Sequence, residues 1–143
     1  MLRSFRGSLG LPVRPALDVP HVSRVQMVEI DRSTMEDFGI SLIQMMENAG
    51  ALLADLTRRS LGGSVEGSRI TVLAGRGHNG GGGLVAARRL HLMGAHLDVL
   101  LAAEPDQYSG VPGLQTQIIT NLGMTPRIYQ GEPLADSDIV LDA

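Results

Sequence analysis

The amino-acid sequence predicts an α/β fold in which helices cover both faces of a parallel β-sheet, a three-layer α/β/α sandwich. Two observations lead to this prediction. Short apolar segments rich in β-branched residues alternate with longer segments of helical periodicity, and a glycine-rich stretch joins the first strand-like segment to the helix after it. At 143 residues, the chain is long enough for one domain with a modest core.

Two capping boxes mark the first two predicted helices. Ser23 and Gln26 have the spacing of such a box, in which each side chain accepts a hydrogen bond from the other residue's backbone amide. Ser41 and Gln44 repeat this spacing at the start of the second helix. Apolar residues then recur three and four positions apart, which predicts a buried stripe. That stripe consists of Leu42, Met45, Met46, Ala49, Leu52, Leu53 and Leu56.

Strands and helices alternate in the rest of the chain. Residues 70–74 are apolar on both faces and partly β-branched, which is typical of a buried parallel strand. The glycine-rich stretch follows, and then a helix that ends at Gly94. The remaining predicted elements are a strand at 97–102, a helix at 113–122, and short strands at 127–129 and 138–141. In a sheet of order 3-2-1-4, the first and fourth strands would lie side by side.

The two ends of the chain carry separate expectations. Residues 1–21 are expected to form a flexible arm, because Pro12, Pro15 and neighbouring glycines break any amphipathic helix there. Residues 22–143 are expected to form the folded domain. The chain ends directly after an apolar strand, with no helix to cover it, so we expect the C-terminal part of this domain to be missing.

Composition excludes several classes of site. All twelve basic residues are arginine, so the chain has neither a Walker lysine nor a Schiff-base lysine. It has no cysteine, which excludes disulfides, thiol catalysis and cysteine-bound zinc. After residue 17, nine arginines stand against fifteen acidic residues, a balance that disfavours nucleic acid as a partner. No apolar run reaches the roughly 18 residues of a membrane helix, so we expect no membrane partner.

Residues 74–84 are the strongest functional signal, because six of the nine residues from Gly75 to Gly83 are glycine. Such a cluster at a strand-to-helix junction indicates positive φ angles or a ligand close to the main chain. Main-chain amides there, with the dipole of a helix expected to begin near Gly81, would make an anion site suited to a phosphate. The spacing G-x-G-x-x-G, and Glu104 near the usual position of a ribose-binding acid, predict a dinucleotide site.

Other polar residues allow more than one interpretation. His78 lies within the glycine segment, and we favour contact with the ligand over a role as acid or base. His91 and His96 are five residues apart, which is the wrong spacing for a metal pair on one helix face, so we expect both to face solvent. Glu47 and Asn48 fit a polar patch beside the core as well as a contact to the pocket.

Three segments of the chain resemble one known family. They are residues 40–50 (ISLIQMMENAG), residues 74–84 (AGRGHNGGGGL) and residues 138–143 (DIVLDA). In this order they are similar to the N-terminal domain of the YjeF family, the NAD(P)H-hydrate epimerases, and the likeness extends over residues 22–143. The resemblance implies a Rossmann-like sandwich that interconverts the R and S epimers of NADHX or NADPHX, the hydrated nicotinamide cofactors. It also implies bound potassium and a homodimer, and we expect a cytoplasmic location.

The resemblance can be carried over position by position, because the family loop usually reads G-x-G-N-N-G-G-D-G. The implied substrate contacts are His78, Asn79, Gly80, Gly81 and Gly82. The implied cofactor contacts are Gly75, Gly77 and Gly83. The implied potassium ligands are Asn79 and Asp142. No catalytic acid or base can be assigned in this chain.

Two positions depart from the family pattern. His78 replaces the first asparagine of the loop and Gly82 replaces its aspartate, so one amide and one carboxylate of the usual pocket are absent. The alternative hypothesis is therefore a non-catalytic nucleotide-binding or scaffold module of the same fold. A conventional NAD-dependent oxidoreductase ranks third, because no substrate domain is visible in the sequence.

Overall fold

A parallel sheet of four strands organises the fold. The structure is a computed structural model and describes residues 20–143. Its strands are β1 (Arg69–Ala74), β2 (His96–Leu101), β3 (Arg127–Ile128) and β4 (Ile139–Asp142). They lie in the order β3-β2-β1-β4, and every neighbouring pair is parallel. The α/β class and the 3-2-1-4 strand order are confirmed. Most of the expected arm at residues 1–21 lies outside the described residues.

Four α-helices within residues 20–143 accompany the sheet. They are α1 (Arg24–Glu36), α2 (Leu42–Ser60), α3 (His78–Leu92) and α4 (Gly110–Asn121). Both predicted capping boxes, at Ser23 and at Ser41, are present. Helix α3 packs on β1 and β2, and α2 and α4 pack against α3. No helix within residues 20–143 is long and apolar enough to cross a membrane.

The core lies between α3 and the sheet. Ile70, Val72 and Ala74 of β1 are buried, and so are Leu84 and Leu90 of α3. Alternate residues of a strand face the same side, so these three residues of β1 form one apolar surface beneath the helix. This packing holds the carboxyl end of β1 and the amino end of α3 at one edge of the sheet.

A switch point lies between β1 and β4. Strands β2 and β3 are added on one side of β1, whereas β4 pairs with its other side along Ile70–Leu73. In open α/β sheets, ligands bind outside the carboxyl ends of the strands at such a point. A site is therefore expected where Ala74 and Asp142 end neighbouring strands.

The buried face of α2 differs from the predicted stripe. Leu52 is 72% exposed and Leu56 is 37% exposed. The residues that α2 buries are Met46, Gly50, Ala54 and Thr57. A Cβ on Gly50 would lie 2.4 Å from the Cβ of Val85 on α3. Because α2 approaches α3 through small residues, two leucines of the pattern are turned outward, and their predicted burial is wrong.

Candidate functional site

The candidate site begins where β1 ends. The chain turns through Gly75–Gly77, and α3 then begins at His78. The helix therefore starts earlier than the expected position near Gly81. As a result, residues 80–83 are buried in the first turns of α3, whereas His78 is exposed at its tip.

Close packing, not backbone conformation, accounts for three of the six glycines. None of the six between Gly75 and Gly83 has a positive φ, so that expectation is wrong. A Cβ built on the inner glycines would lie 1.8 Å from the Gly75 carbonyl oxygen at Gly80, 2.6 Å from the Met46 Sδ at Gly81, and 2.7 Å from the Ala143 Cβ at Gly83. Gly81 and Gly83 thus approach protein neighbours closely, and their contacts to substrate and cofactor stay predictions.

Gly82 is the exception within α3. A Cβ built there meets no heavy atom within 4 Å. This is the position at which the resembling family has an aspartate. A methyl group at Gly82 would therefore displace no neighbouring residue.

The amino terminus of α3 offers free hydrogen-bond donors. No side chain caps the helix at Gly77, and the first amide with a backbone acceptor is that of Gly81, which donates to the Gly77 carbonyl over 3.0 Å. The amides of His78, Asn79 and Gly80 have no acceptor among residues 20–143. Together with the positive end of the helix dipole, three such donors form a site for an anion.

The carboxyl end of β4 lies beside the same turn. The Gly75 amide donates to the Ala143 carbonyl over 2.7 Å, and the Ala143 amide donates to the Leu73 carbonyl over 2.9 Å. Asp142 is in register with Leu73 and is exposed. Since Ala143 packs towards Gly83 of α3, alternation of side chains directs Asp142 to the other face of the sheet.

The structure thus brings both predicted potassium ligands to one edge of the sheet. Asn79 lies in the first turn of α3, and Asp142 ends the strand beside β1. Neither side chain is hydrogen-bonded within the described part of the chain. Across residues 20–143, no three His, Asp or Glu side chains cluster closely enough to hold a metal ion by themselves. Further oxygen ligands at this edge would have to come from main-chain carbonyls, substrate or water.

Tyr108 joins the carboxyl ends of β1 and β2, a role that sequence reasoning missed. Its hydroxyl donates to the Ala74 carbonyl over 2.6 Å and accepts from the Ala102 amide over 3.1 Å. Burial raises the pKa of this phenol, which keeps it protonated as a donor. The one available signal is the scarcity of aromatic residues, since Tyr108 is one of two tyrosines in a chain with 3% aromatic residues. Glu104, the predicted ribose ligand, is exposed after β2, and its contact stays a prediction.

Glu47 ties three helices together. Its carboxylate accepts hydrogen bonds from Arg88 and from Arg89 Nη2 of α3, the latter over 3.1 Å, and from Gln115 Nε2 of α4 over 3.2 Å. Burial by itself would raise the pKa of Glu47, but the hydrogen bonds from the two arginines outweigh it and lower that pKa. These contacts favour the interpretation of Glu47 as part of a polar patch beside the core, because all of its hydrogen-bond partners lie on α3 and α4. Asn48 beside it is exposed.

His91 and His96 belong to the opposite edge of the sheet, where β2 begins. Both are exposed, as expected, and both line a cavity of about 290 Å³ with Met124 and Thr125. They therefore take no part in the site at the carboxyl edge.

The chain is similar to known proteins over most of its length. Residues 42–143 match the family model described as YjeF-related protein N-terminus. The chain is 45% identical over 117 residues to an NAD(P)H-hydrate epimerase of Dehalogenimonas lykanthroporepellens, covering 82% of this chain and 47% of the relative. It is 30% identical to an NAD(P)H-hydrate epimerase of Rhodopirellula baltica, covering 96% of this chain and 56% of that protein.

Longer relatives and a solved structure match the same region. The bifunctional NAD(P)H-hydrate repair enzyme Nnr of Moorella thermoacetica is 33% identical, with 85% of this chain and 24% of that enzyme covered. The crystal structure of the yeast protein ynu0 matches with a TM-score of 0.65 and 32% identity, over 79% of this chain and 48% of that chain. The chain thus spans about half the length of the epimerases that it matches, or less.

Proposed function

We propose, from the fact that this chain belongs to the YjeF-related N-terminal family, that it serves NAD(P)H-hydrate epimerisation. In this reaction the R and S epimers of NADHX or NADPHX are interconverted, so that the damaged cofactors can be repaired. The observation that carries the proposal is the uncapped amino terminus of α3 at the switch point, where three amides are open. These donors suit the diphosphate of a dinucleotide.

The residues that offer open donors to the substrate are fewer than the contacts that the resemblance implies. The amides of His78, Asn79 and Gly80 are the donors offered to the phosphates. The imidazole of His78 is exposed at the tip of α3 and would contact the ligand. Gly75 and Gly77, which belong to the turn before α3, are proposed cofactor contacts, and a Cβ at Gly82 would meet no heavy atom within 4 Å. The acid or base that moves the proton at the hydrated carbon is not assigned to any residue of this chain.

Potassium is proposed at the same edge. Asn79 can supply an amide oxygen and Asp142 a carboxylate oxygen, which are the ligand types that a hard cation prefers. When bound, the cation would offset the negative charge of the substrate. Asn79 lies in the first turn of α3, and Asp142 ends β4 at the same edge of the sheet with its side chain on the face away from α3.

We also propose a cytoplasmic homodimer as the working form of the protein. The names of the relatives, which are metabolite repair enzymes, support NADHX or NADPHX as the small-molecule substrate.

A non-catalytic nucleotide-binding or scaffold module is the second candidate function. It is favoured by one observation, the loss of the loop aspartate at Gly82 together with the replacement of asparagine by His78. Such a module would bind the dinucleotide through the α3 amides without epimerising it.

NMR of R-NADHX with the protein and potassium separates these candidates. We expect the S epimer to grow faster than in buffer, and Asn79→Ala to slow that growth. The matched control is Asn121→Ala, because Asn121 ends α4, far along the chain from the carboxyl-edge turn. Growth no faster than in buffer would contradict the epimerase proposal. A rise in melting temperature with NADH, NADPH or ADP-ribose would then support the binding-module hypothesis, since a ligand that prefers the native state stabilises the folded protein.

A further inference from the structure

Arg76 stands in the middle of the turn that joins β1 to α3. It lies between Gly75 and Gly77, directly before the open amides at the start of α3, and its side chain is exposed. Among residues 74–84, it is the only arginine, and the segment contains no lysine, aspartate or glutamate. The turn at the proposed site therefore carries one positive side chain, to which the function proposed above gives no role.

Most arginines of this protein are paired with carboxylates of their own chain. Within residues 20–143, seven of the nine form ion pairs, namely Arg32, Arg58, Arg59, Arg69, Arg88, Arg89 and Arg127. Arg76 forms none in this part of the chain. The N–H groups of its guanidinium are therefore open to an anion brought by a ligand.

The guanidinium of Arg76 lies towards the carboxyl end of β2. Tyr108, which follows β2, supports this placement. Burial raises the pKa of its phenol, and the positive charge of Arg76 acts in the opposite direction. A charge acts in this way only on a group near it. The Tyr108 hydroxyl in turn contacts the Ala74 carbonyl and the Ala102 amide, at the ends of β1 and β2.

The end of the second strand is where dinucleotide-binding sheets meet the adenosine ribose. An acidic residue there hydrogen-bonds the 2′-hydroxyl of NAD-type ligands, whereas a nearby arginine accommodates the 2′-phosphate of NADP-type ligands. This chain has a residue of each kind, because Glu104 is exposed after β2 and Arg76 lies towards the same end. NADHX and NADPHX differ only in this phosphate, so the two residues bear on the choice between them.

We propose that Arg76 is a specificity-determining residue that binds the 2′-phosphate of NADPHX. Its planar guanidinium can donate two parallel hydrogen bonds to phosphate oxygens, while the amides of α3 take the diphosphate. Glu104 acts in the opposite direction, because its carboxylate repels a phosphate and accepts a hydrogen bond from a free 2′-hydroxyl. The inference rests on the proposed function, since it requires the dinucleotide to lie at this edge of the sheet.

Epimerisation of NADHX and of NADPHX by the same protein preparation tests the proposal. R76Q should lower kcat/KM for NADPHX by about tenfold or more, and that for NADHX by less than about twofold. R76K keeps the charge but loses the planar pair of donors, so its value for NADPHX should lie between those of the wild type and R76Q. E104Q should raise kcat/KM for NADPHX relative to NADHX, because it removes a repulsion.

Arg69→Gln is the matched control. Arg69 begins β1 at the opposite edge of the sheet, and its ion pair with Asp136 is largely exposed. The substitution removes the same charge away from the proposed site, so both kcat/KM values should stay at the wild-type level. Thermal denaturation checks that R76Q is as stable as the wild type, as expected for an exposed side chain without an ion pair in the described part of the chain.

Two results with an active enzyme would overturn the proposal. An equal loss for both substrates in R76Q would place Arg76 on the diphosphate, which NADHX and NADPHX share. Unchanged values for both substrates would show that Arg76 does not bind either of them.

Calorimetric dissociation constants of NADPH and NADH separate this inference from the proposed function. A wild-type protein that epimerises neither hydrate would contradict the epimerase proposal. A loss of affinity in R76Q that is confined to NADPH would still support Arg76 as the ligand of the 2′-phosphate. A wild-type protein that binds neither nucleotide, or an R76Q variant that loses both equally, would overturn this role of Arg76.

Discussion

Helices α1 and α3 are similar in length, 13 and 15 residues, but they are stabilised by different interactions. α1 has a complete capping box and ion pairs along one side, but buries no residue. α3 has no side-chain cap, carries four glycines in a row, and buries nine of its residues. Local chemistry therefore stabilises α1, whereas tertiary packing stabilises α3. Because packing holds α3, its first amides need no cap and stay open for a ligand.

Substitution of the glycines in α3 is expected to change the free energy of unfolding most. Gly80→Ala should lower the free energy of unfolding by about 3 kcal/mol, because the new methyl group would collide with the Gly75 carbonyl, which is main chain and cannot move aside. Urea denaturation measures the change. The matched control Gly82→Ala adds the same methyl group where nothing lies within 4 Å. It should raise the free energy of unfolding by about 0.5 to 1 kcal/mol through helix propensity. Equal effects at both positions would refute the packing explanation.

Substitution of Glu47 tests how much its contacts with α3 and α4 contribute to stability. Glu47→Ala should lower the free energy of unfolding by about 2 kcal/mol, because Arg88 and Arg89 lose their carboxylate partner in a partly buried contact. Glu104→Ala, which removes an exposed carboxylate, should change it by less than about 0.5 kcal/mol. Thermal or urea denaturation of both variants makes the comparison.

The pKa of Glu47 adds a pH dependence to this contact. The folded-state pKa lies below the ordinary value of 4.5, so the stabilisation is complete above pH 4.5 and is lost as the pH falls through the folded-state pKa. Glu47→Gln should flatten this part of the stability profile. An unchanged acid limb would contradict the assignment.

The substitution Gly82→Asp tests whether the amino end of α3 has a role in epimerisation. The substitution returns the carboxylate of the family loop to a position where the Cβ meets no heavy atom within 4 Å. We expect epimerisation to rise by about tenfold, which corresponds to about 1.4 kcal/mol of transition-state stabilisation. Gly81→Asp is the control, because a side chain there meets Met46 and should disturb the fold instead. No gain in rate from a folded Gly82→Asp protein would favour the binding-module alternative.

The two capping boxes give the smallest effect and the most direct comparison. Ser41→Ala at α2 should lower the global free energy of unfolding by about 1 kcal/mol, since α2 is packed into the domain. Ser23→Ala removes the equivalent cap from α1. In the monomer it should reduce helix content without shifting the global unfolding midpoint, because α1 is not part of the core. Equal shifts in urea denaturation would show that α1 folds with the domain.

Local signals predicted much of this molecule. Both capping boxes formed at Ser23 and Ser41, and residues 70–74 became the central strand beside the glycine turn. The burial of α2 was less predictable, because Gly50 has no hydrophobic signal although it decides which face meets α3. Glu47 and Gln115 are 68 residues apart, so no local pattern could pair them.

The sequence by itself determined the order of helices and strands, the place of the glycine turn, and the family resemblance carried by its three segments. These features depend on neighbours within a few positions, where spacing alone specifies the hydrogen bonds and the faces. Tertiary structure alone decided that Gly80, Gly81 and Gly83 serve close contacts and that α1 lies uncovered. The physical reason is that burial and close approach are properties of pairs of surfaces, and a linear pattern describes only one member of each pair.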